Sequence, residues 1–209
     1  MVKEKLNIPV DVDDCFIEEF RILRTRVELL CKEKKVIMIT SMLPGEGKTT
    51  VALNLARSLA SVGRRVIFVD CDLRNSKIVS TYKLEKIDVN IQSYLMGEKE
   101  LDEVILKSKE ENLDFIFCVG TALNSAELLE SERFRIMLAE LKGKYDFIVI
   151  DTPPMTRYAD ATIIAKETGA VILVIQENRV KKRIIREGLE QLKEANSEVL
   201  GVVFNKWNK

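Results

Sequence analysis

PGEGKTT, residues 44–50, lies between the apolar run KVIMIT (35–40) and the segment VALNLARSLASVG (51–63). A turn that joins a strand to a helix points successive backbone N–H groups at one spot, and the helix N-terminus adds partial positive charge there. Gly45 and Gly47 have no Cβ, so the chain can bend sharply and come close to an oxyanion. Lys48 can reach the β and γ phosphates of a nucleotide, and Thr49 can offer its hydroxyl to Mg²⁺. Pro44, Gly45, Glu46, Gly47, Lys48, Thr49 and Thr50 are therefore the expected ATP-binding loop. The bland alternative is a Gly-rich turn with a surface lysine, and the strand before and helix after argue against it. One departure stands out: the strict pattern has glycine five residues before Gly47, where this chain has Met42.

Working outward, strand-length apolar runs recur at RVIFVD (65–70), LDFIFCV (113–119), YDFIVID (145–151), AVILVIQ (170–176) and EVLGVVFN (198–205). They are nearly continuous rather than alternating, as strands covered on both faces of a parallel sheet must be. Helix-period segments lie between them: TTVALNLARSLASV (49–62), SAELLESERFRIMLAELKGK (125–144) and KKRIIREGLEQLKEA (181–195). Short helical stretches are expected around NIQSYLMG (90–97) and ELDEVILKSK (100–109). The pattern predicts an α/β, doubly wound, mainly parallel sheet with helices on both faces. No repeat or Pro/Gly linker divides it, so residues 1–209 read as one domain. A further N-terminal helix is expected across DCFIEEFRILRTRVELLCKE (14–33), within a segment 12–33. Phe16, Phe20, Leu23, Val27 and Leu30 follow helical spacing and form a packing stripe. Glu18, Arg21 and Arg24 share another face, which reads as a solvated, salt-bridged row or as an interaction surface.

The bulk numbers narrow the function. The chain has 209 residues, 46% hydrophobic and 32% charged, with a net charge of zero. That balance favours neither a nucleic-acid nor an anionic-membrane footprint. No apolar stretch approaches the ~20 residues of a membrane span, and MVKEKLNIPVDVDD lacks the apolar core of a signal peptide. A soluble cytoplasmic protein is expected, and any membrane role needs a partner. Cys15, Cys31, Cys71 and Cys118 show no metal-ligand spacing and read as reduced thiols. Histidine is absent, which excludes Ser-His and Cys-His catalysis and leaves carboxylates and lysines for proton transfer.

Two aspartate motifs accompany the loop. VIFVDCDLR carries Asp70 and Asp72 two residues apart at a strand end, a spacing that puts both on one side, facing the phosphate loop. Such a pair repels unless a cation sits beside it, and Mg²⁺ would supply that charge; a merely polar exit from the strand is the alternative. FIVIDTPP places Asp151 at another strand end, a usual position for a carboxylate that positions Mg²⁺ or its water. All three motifs fall at C-terminal strand ends, where open α/β sheets bind ligands.

In combination, PGEGKT, VIFVDCDLR and FIVIDTPP resemble the motifs of the bacterial tyrosine kinases (BY-kinases) of capsule and exopolysaccharide biosynthesis. The resemblance extends to an N-terminal ExxRxxRT motif, Glu18 to Thr25, and to SYLMGEKELDEVI, NSAELLESERF and TRYADA, so it spans nearly the whole chain. It implies an ATP-dependent protein tyrosine kinase in which Lys48 and Thr49 bind phosphates and Mg²⁺. Asp70 would be the base near the acceptor tyrosine, with Asp72 and Asp151 beside the metal and Asn205 at the adenine. Glu18, Arg21 and Arg24 would belong to the interface of a ring-shaped homo-oligomer. Family members without a fused membrane segment work with a transmembrane activator, a polysaccharide co-polymerase subunit, so recruitment to the inner face of the membrane is implied as well. No nucleic acid is implied.

Two departures bear on the reading. Cell-division and partition ATPases of the same phosphate-loop group carry a signature lysine where this chain has Leu43, which favours the kinases. The family's tyrosine cluster is not found in GVVFNKWNK; Tyr82, Tyr94, Tyr145 and Tyr158 are scattered. A partition-type ATPase switch and a non-catalytic nucleotide-binding subunit of an export complex remain the competing readings.

Overall fold

The computed structural model describes residues 5–8, 14–31, 34–84 and 87–206. Among them the elements run α1 (Asp14–Leu30), β1 (Val36–Ser41), α2 (Lys48–Ala60), β2 (Val66–Asp70), α3 (Ile78–Thr81), α4 (Ile91–Leu95), α5 (Leu101–Val104), β3 (Leu106–Lys107) and β4 (Leu113–Ile116). They continue as α6 (Ser125–Glu130), α7 (Glu132–Lys144), β5 (Phe147–Asp151), α8 (Asp160–Thr168), β6 (Ala170–Gln176), α9 (Lys182–Glu194) and β7 (Glu198–Asn205). One sheet takes the order β3-β4-β2-β5-β1-β6-β7. Its ladders are parallel, apart from the short antiparallel pairing of β3 with β4. The parallel, helix-covered sheet is the expected one.

The continuous apolar runs divide by parity between two cores. Val36 and Met38 of β1 join Ile67, Val69, Ile148 and Ile150 on one face. Ile37 and Ile39 join Val66, Phe68 and Val149 on the other, beneath α1 and α2. Both sets are buried because helices cover both faces, which is why these strands show no alternation. β1 is central, flanked by β5 and β6, so its C-terminal end delivers the phosphate loop to the middle of the sheet edge.

Several sequence expectations are corrected. The span 125–144 is two helices, α6 and α7, separated at Ser131, whose hydroxyl accepts from the Phe134 N–H and caps α7. Residues 100–109 leave the helix after Val104 and pair as β3 against β4. Helix α8 has no counterpart in the sequence reading: nine residues gave too little periodicity, although Asp160 in its first turn and Gly169 at its C-cap are end signals. In α1, Val27 is buried and Phe20 and Leu23 pack on the core, but Leu30 is 54% exposed, so the stripe stops short of it. Residues 12, 13, 32 and 33 of the expected N-terminal segment lie outside the described residues. Cys31, Cys71 and Cys118 are buried free thiols.

Candidate active site

The ends of β1, β2 and β5 converge on one cavity of about 460 Å³ lined by Gly47, Lys48, Thr49, Asp72 and Asp151. Pro44, Gly45, Thr50 and Asn205 line it too. Asp70 pairs in register with Asp151 across β2 and β5, so two strand-end acids are adjacent by construction. Gly45 and Gly47 both have positive φ, 79° and 92°, a region that penalises any Cβ. A Cβ on Gly47 would also overlap Nδ2 of Asn205. Helix α2 begins at Lys48 with Gly47 as its N-cap and carries no acid in its first turn, so its N-terminal field is left for an anion.

Lys48 sits between the acids. Its Nζ is 3.3 Å from Asp72 Oδ2 and 3.8 Å from Asp151 Oδ1. Thr49 Oγ1 donates to Asp151 Oδ2 at 2.6 Å. Burial alone would lower the Lys48 pKa, but Asp151, Asp72 and Asp70 together raise it, so the ammonium is held charged. Asp151 is raised by burial, against the opposing pull of Lys48 and Thr49. Asp70 is pushed up to about 8, chiefly by burial and then by Asp151, with hydrogen bonds from Ser76 and the Asp72 N–H partly offsetting this.

The two-residue spacing does not put both β2-end carboxylates in the cavity. Asp72 lines it, whereas Asp70 is fully buried beneath it. The Asp70 carboxylate accepts from the Asp72 N–H (3.1 Å) and from the Ser76 hydroxyl. The strand ends at Asp70, so strand parity no longer governs Asp72. Glu46 is corrected likewise. Its side chain is fully buried, accepting from the Leu43 N–H at 2.6 Å and the Gln176 N–H at 2.9 Å; it braces the loop against the end of β6. Asn205 donates Nδ2 to the Glu46 carbonyl at 2.8 Å, which leaves Oδ1 as the atom available to a base. Lys206 Nζ donates to the Gly45 carbonyl at 2.9 Å. Met42, in the place of the first pattern glycine, is buried against Gly188 of α9, where a Cβ would collide with its Sδ and Cε.

Residues the sequence reading passed over tie the motif loops together. Arg74 donates to both carboxylate oxygens of Asp160, at 3.0 and 3.1 Å. Ser125 Oγ donates to Asp160 at 2.8 Å, and the Arg74 guanidinium lies 4.5 Å over the Tyr158 ring. Asp160 is fully buried, so this fork is a fixed strut between the loops after β2 and β5. Its sequence signal was Arg74 after the aspartate pair and an acid opening a helix, nearly ninety positions apart by the 86-residue separation. On α1, Glu18 and Arg21 pair at 3.0 Å and are both exposed. Arg24 turns inward instead, donating to the Ser58 carbonyl at 3.2 Å.

The residues present fit a magnesium nucleotide. Asp151 Oδ1 is buried with no hydrogen-bond donor, beside Thr49 and Asp72. Among the described residues no three Asp, Glu, Cys or His side chains cluster to hold a metal unaided. That suits Mg²⁺, which keeps waters and is completed by substrate phosphates.

Comparison with known proteins agrees with this geometry. Residues 34–201 match the AAA domain family. The chain is 34% identical over 192 residues to tyrosine-protein kinase CpsD of Streptococcus agalactiae serotype III, covering 92% of this chain and 83% of the relative. It is 33% identical over 190 residues to tyrosine-protein kinase YwqD of Bacillus subtilis, covering 90% and 80%. The solved kinase domain of Escherichia coli tyrosine kinase ETK superposes with a TM-score of 0.90 at 29% identity, covering 99% of this chain and 83% of that one. The septum site-determining protein MinD of Pyrococcus horikoshii, solved with Mg-ADP, gives 0.71 at 27% identity, covering 83% and 71%.

Proposed function

This chain belongs to the bacterial tyrosine-kinase family, and from that premise we propose that it transfers the γ-phosphoryl group of ATP to protein tyrosines in the control of capsular or extracellular polysaccharide production. The observation that carries the reading is the Lys48 ammonium held between Asp72 and Asp151, next to Thr49 at the mouth of α2.

Phosphoryl transfer asks for alignment and charge neutralisation more than for covalent chemistry. The phosphate loop and Lys48 hold the β and γ phosphates. Thr49, Asp72 and Asp151 are the groups that would hold Mg²⁺, which when bound offsets the charge on the phosphate oxygens. Asp70, raised to about 8, still lies below a tyrosine near 10, so it accepts the acceptor proton late in the step, through the Ser76 hydroxyl rather than by direct contact. Ser76 supports this role: its hydroxyl lines the cavity and donates to Asp70. Asn205 Oδ1 receives the adenine amino group.

Among the described residues no helix is long and apolar enough to cross a membrane. We place the protein at the inner face of the cell membrane through a transmembrane activator, and we assign the exposed Glu18–Arg21 face of α1, with Arg24 behind it, to a ring-shaped homo-oligomer. Incubation with Mg²⁺ and labelled ATP, with and without the activator's cytoplasmic tail, tests the central claim. Phosphotyrosine on protein is expected. Release of label solely as inorganic phosphate would instead make the chain a switch ATPase, and nucleotide binding with no turnover a regulatory subunit. Asp70→Asn is expected to cut turnover far more than nucleotide affinity; equal losses would move Asp70 to the metal.

A further inference from the structure

The cavity has two halves. The phosphate loop, Asn205 and Lys206 wall one; the loops after β2 and β5 wall the other, through Lys77, Ile78, Tyr82, Pro154, Arg157 and Tyr158. The acids facing the cavity, Asp72 and Asp151, are buried against Lys48. The exposed charges on its wall, Lys77, Arg157 and Lys206, are all cationic. Lys206 is tied to the phosphate loop at Gly45. Lys77 and Arg157 belong to the other half, and neither forms an ion pair among the described residues. In a chain with zero net charge, a wall whose exposed charges share one sign is a local bias. Beside the two cations the half carries buried Ile78 and Pro154 and half-buried Tyr82, with the uncharged polar Asn75, Ser76 and Thr81. Tyr158 is fixed by the Arg74 guanidinium stacked on its ring.

We propose that this outer half receives an acidic, tyrosine-bearing polypeptide segment. Lys77 and Arg157 pair with Asp or Glu residues flanking the acceptor, and the acceptor ring packs among Tyr82, Tyr158 and Pro154. The proposal rests on the kinase reading for its chemistry. The phenolic oxygen forms a bond to the γ-phosphorus, and the bond from that phosphorus to the bridging oxygen breaks. ADP leaves with the electron pair, and the phenolic proton passes to the Ser76 oxygen as the Ser76 hydroxyl proton passes to Asp70. Complementary charge at the rim would steer the acceptor and select among tyrosines, an effect that salt screens.

Two peptides of equal length supply the test, one with glutamates and one with lysines around a single tyrosine, each carrying a fluorophore. Binding to the full chain with Mg-ADP is followed by anisotropy at low and high salt, and transfer from labelled ATP is measured in parallel. The acidic peptide is expected to bind on the order of tenfold tighter or more, as two exposed charge pairs allow, with the preference shrinking at high salt. The double variant Lys77→Glu/Arg157→Glu is expected to abolish or reverse it, with circular dichroism confirming that the variant is folded. Single charge-neutral variants, Lys77→Gln and Arg157→Gln, give the same readout in smaller steps should the reversal misfold. Equal binding of the two peptides, or a preference that survives the double variant, overturns the proposal. So does a loss of transfer by the same factor for both peptides, which would put the cations on the triphosphate. Selective binding without any phosphotyrosine would leave the docking surface standing and sink the kinase reading.

Discussion

The phosphate loop and helix α1 are built by opposite rules. In the loop the carbonyls and the Glu46 side chain are held by remote elements, while the N–H groups stay free for an anion: Glu46 reaches Gln176, the Glu46 carbonyl is held by Asn205, and the Gly45 carbonyl is held by Lys206. In α1 the inner side packs through Val27, while Ile22, Leu29 and Leu30 stay 44%, 64% and 54% exposed. The loop is a finished object whose shape is over-determined. The helix is finished toward the core and open on its outer side, as a surface awaiting a neighbour would be. Rigid preorganisation belongs where phosphate must be met by fixed dipoles, and the open face of α1 is the one assigned to the proposed ring contact.

The comparison can be broken most forcefully at Lys48. A charge pair at about 4 Å and an effective dielectric near 20 is worth about 4 kcal/mol, so Lys48→Met is expected to slow transfer roughly a thousandfold. Single-turnover kinetics with labelled ATP would show it, and a loss below tenfold would mean that the loop's charge is not the source of rate. Next comes Gly47→Ala, which adds a left-handed strain to an overlap with Asn205. Together these predict about a hundredfold weaker Mg-ADP binding by calorimetry. Measured against Asn205→Gly alone, which itself loses the adenine contact, Gly47→Ala should cost less, because only the backbone part of its penalty remains.

Gly188→Ala is the third step, a crowding of Met42 from behind the loop. A loss of about 1–3 kcal/mol is expected in denaturant unfolding, relieved by Met42→Ala in the double variant; additive losses would deny that the two residues share one space. The smallest effect belongs to α1. Arg21→Ala removes an exposed ion pair and should change monomer stability by less than about 1 kcal/mol, while sedimentation should show a weaker assembly. A variant that unfolds but assembles normally would reverse the contrast between the two regions.

What the sequence made legible follows the same division. The strands and the loop were readable because their determinants are local: runs of β-branched residues, glycines where φ is positive, a lysine at a helix start. Asp151 was readable because it ends an apolar run, and Asp72 because it follows Asp70 by two residues, although strand parity does not reach it. The burial of Asp70 and of the Glu46 side chain was not readable, because it depends on Ser76, on Gln176 at the end of β6, and on where each strand stops. The Arg74–Asp160–Ser125 strut was missed for the same reason, its members drawn from the loop after β2 and the first residues of α8 and α6. Met42 looked like a defect in the pattern until Gly188, on α9, supplied the missing space. The inward turn of Arg24 toward Ser58 needed the crossing of α1 over α2, which no periodicity reports.

The tie from Asn205 to the Glu46 carbonyl joins positions 159 residues apart. During synthesis, the phosphate loop emerges long before the strand that clasps it. The loop can therefore take its clasped shape only after the seventh strand has docked beside β6.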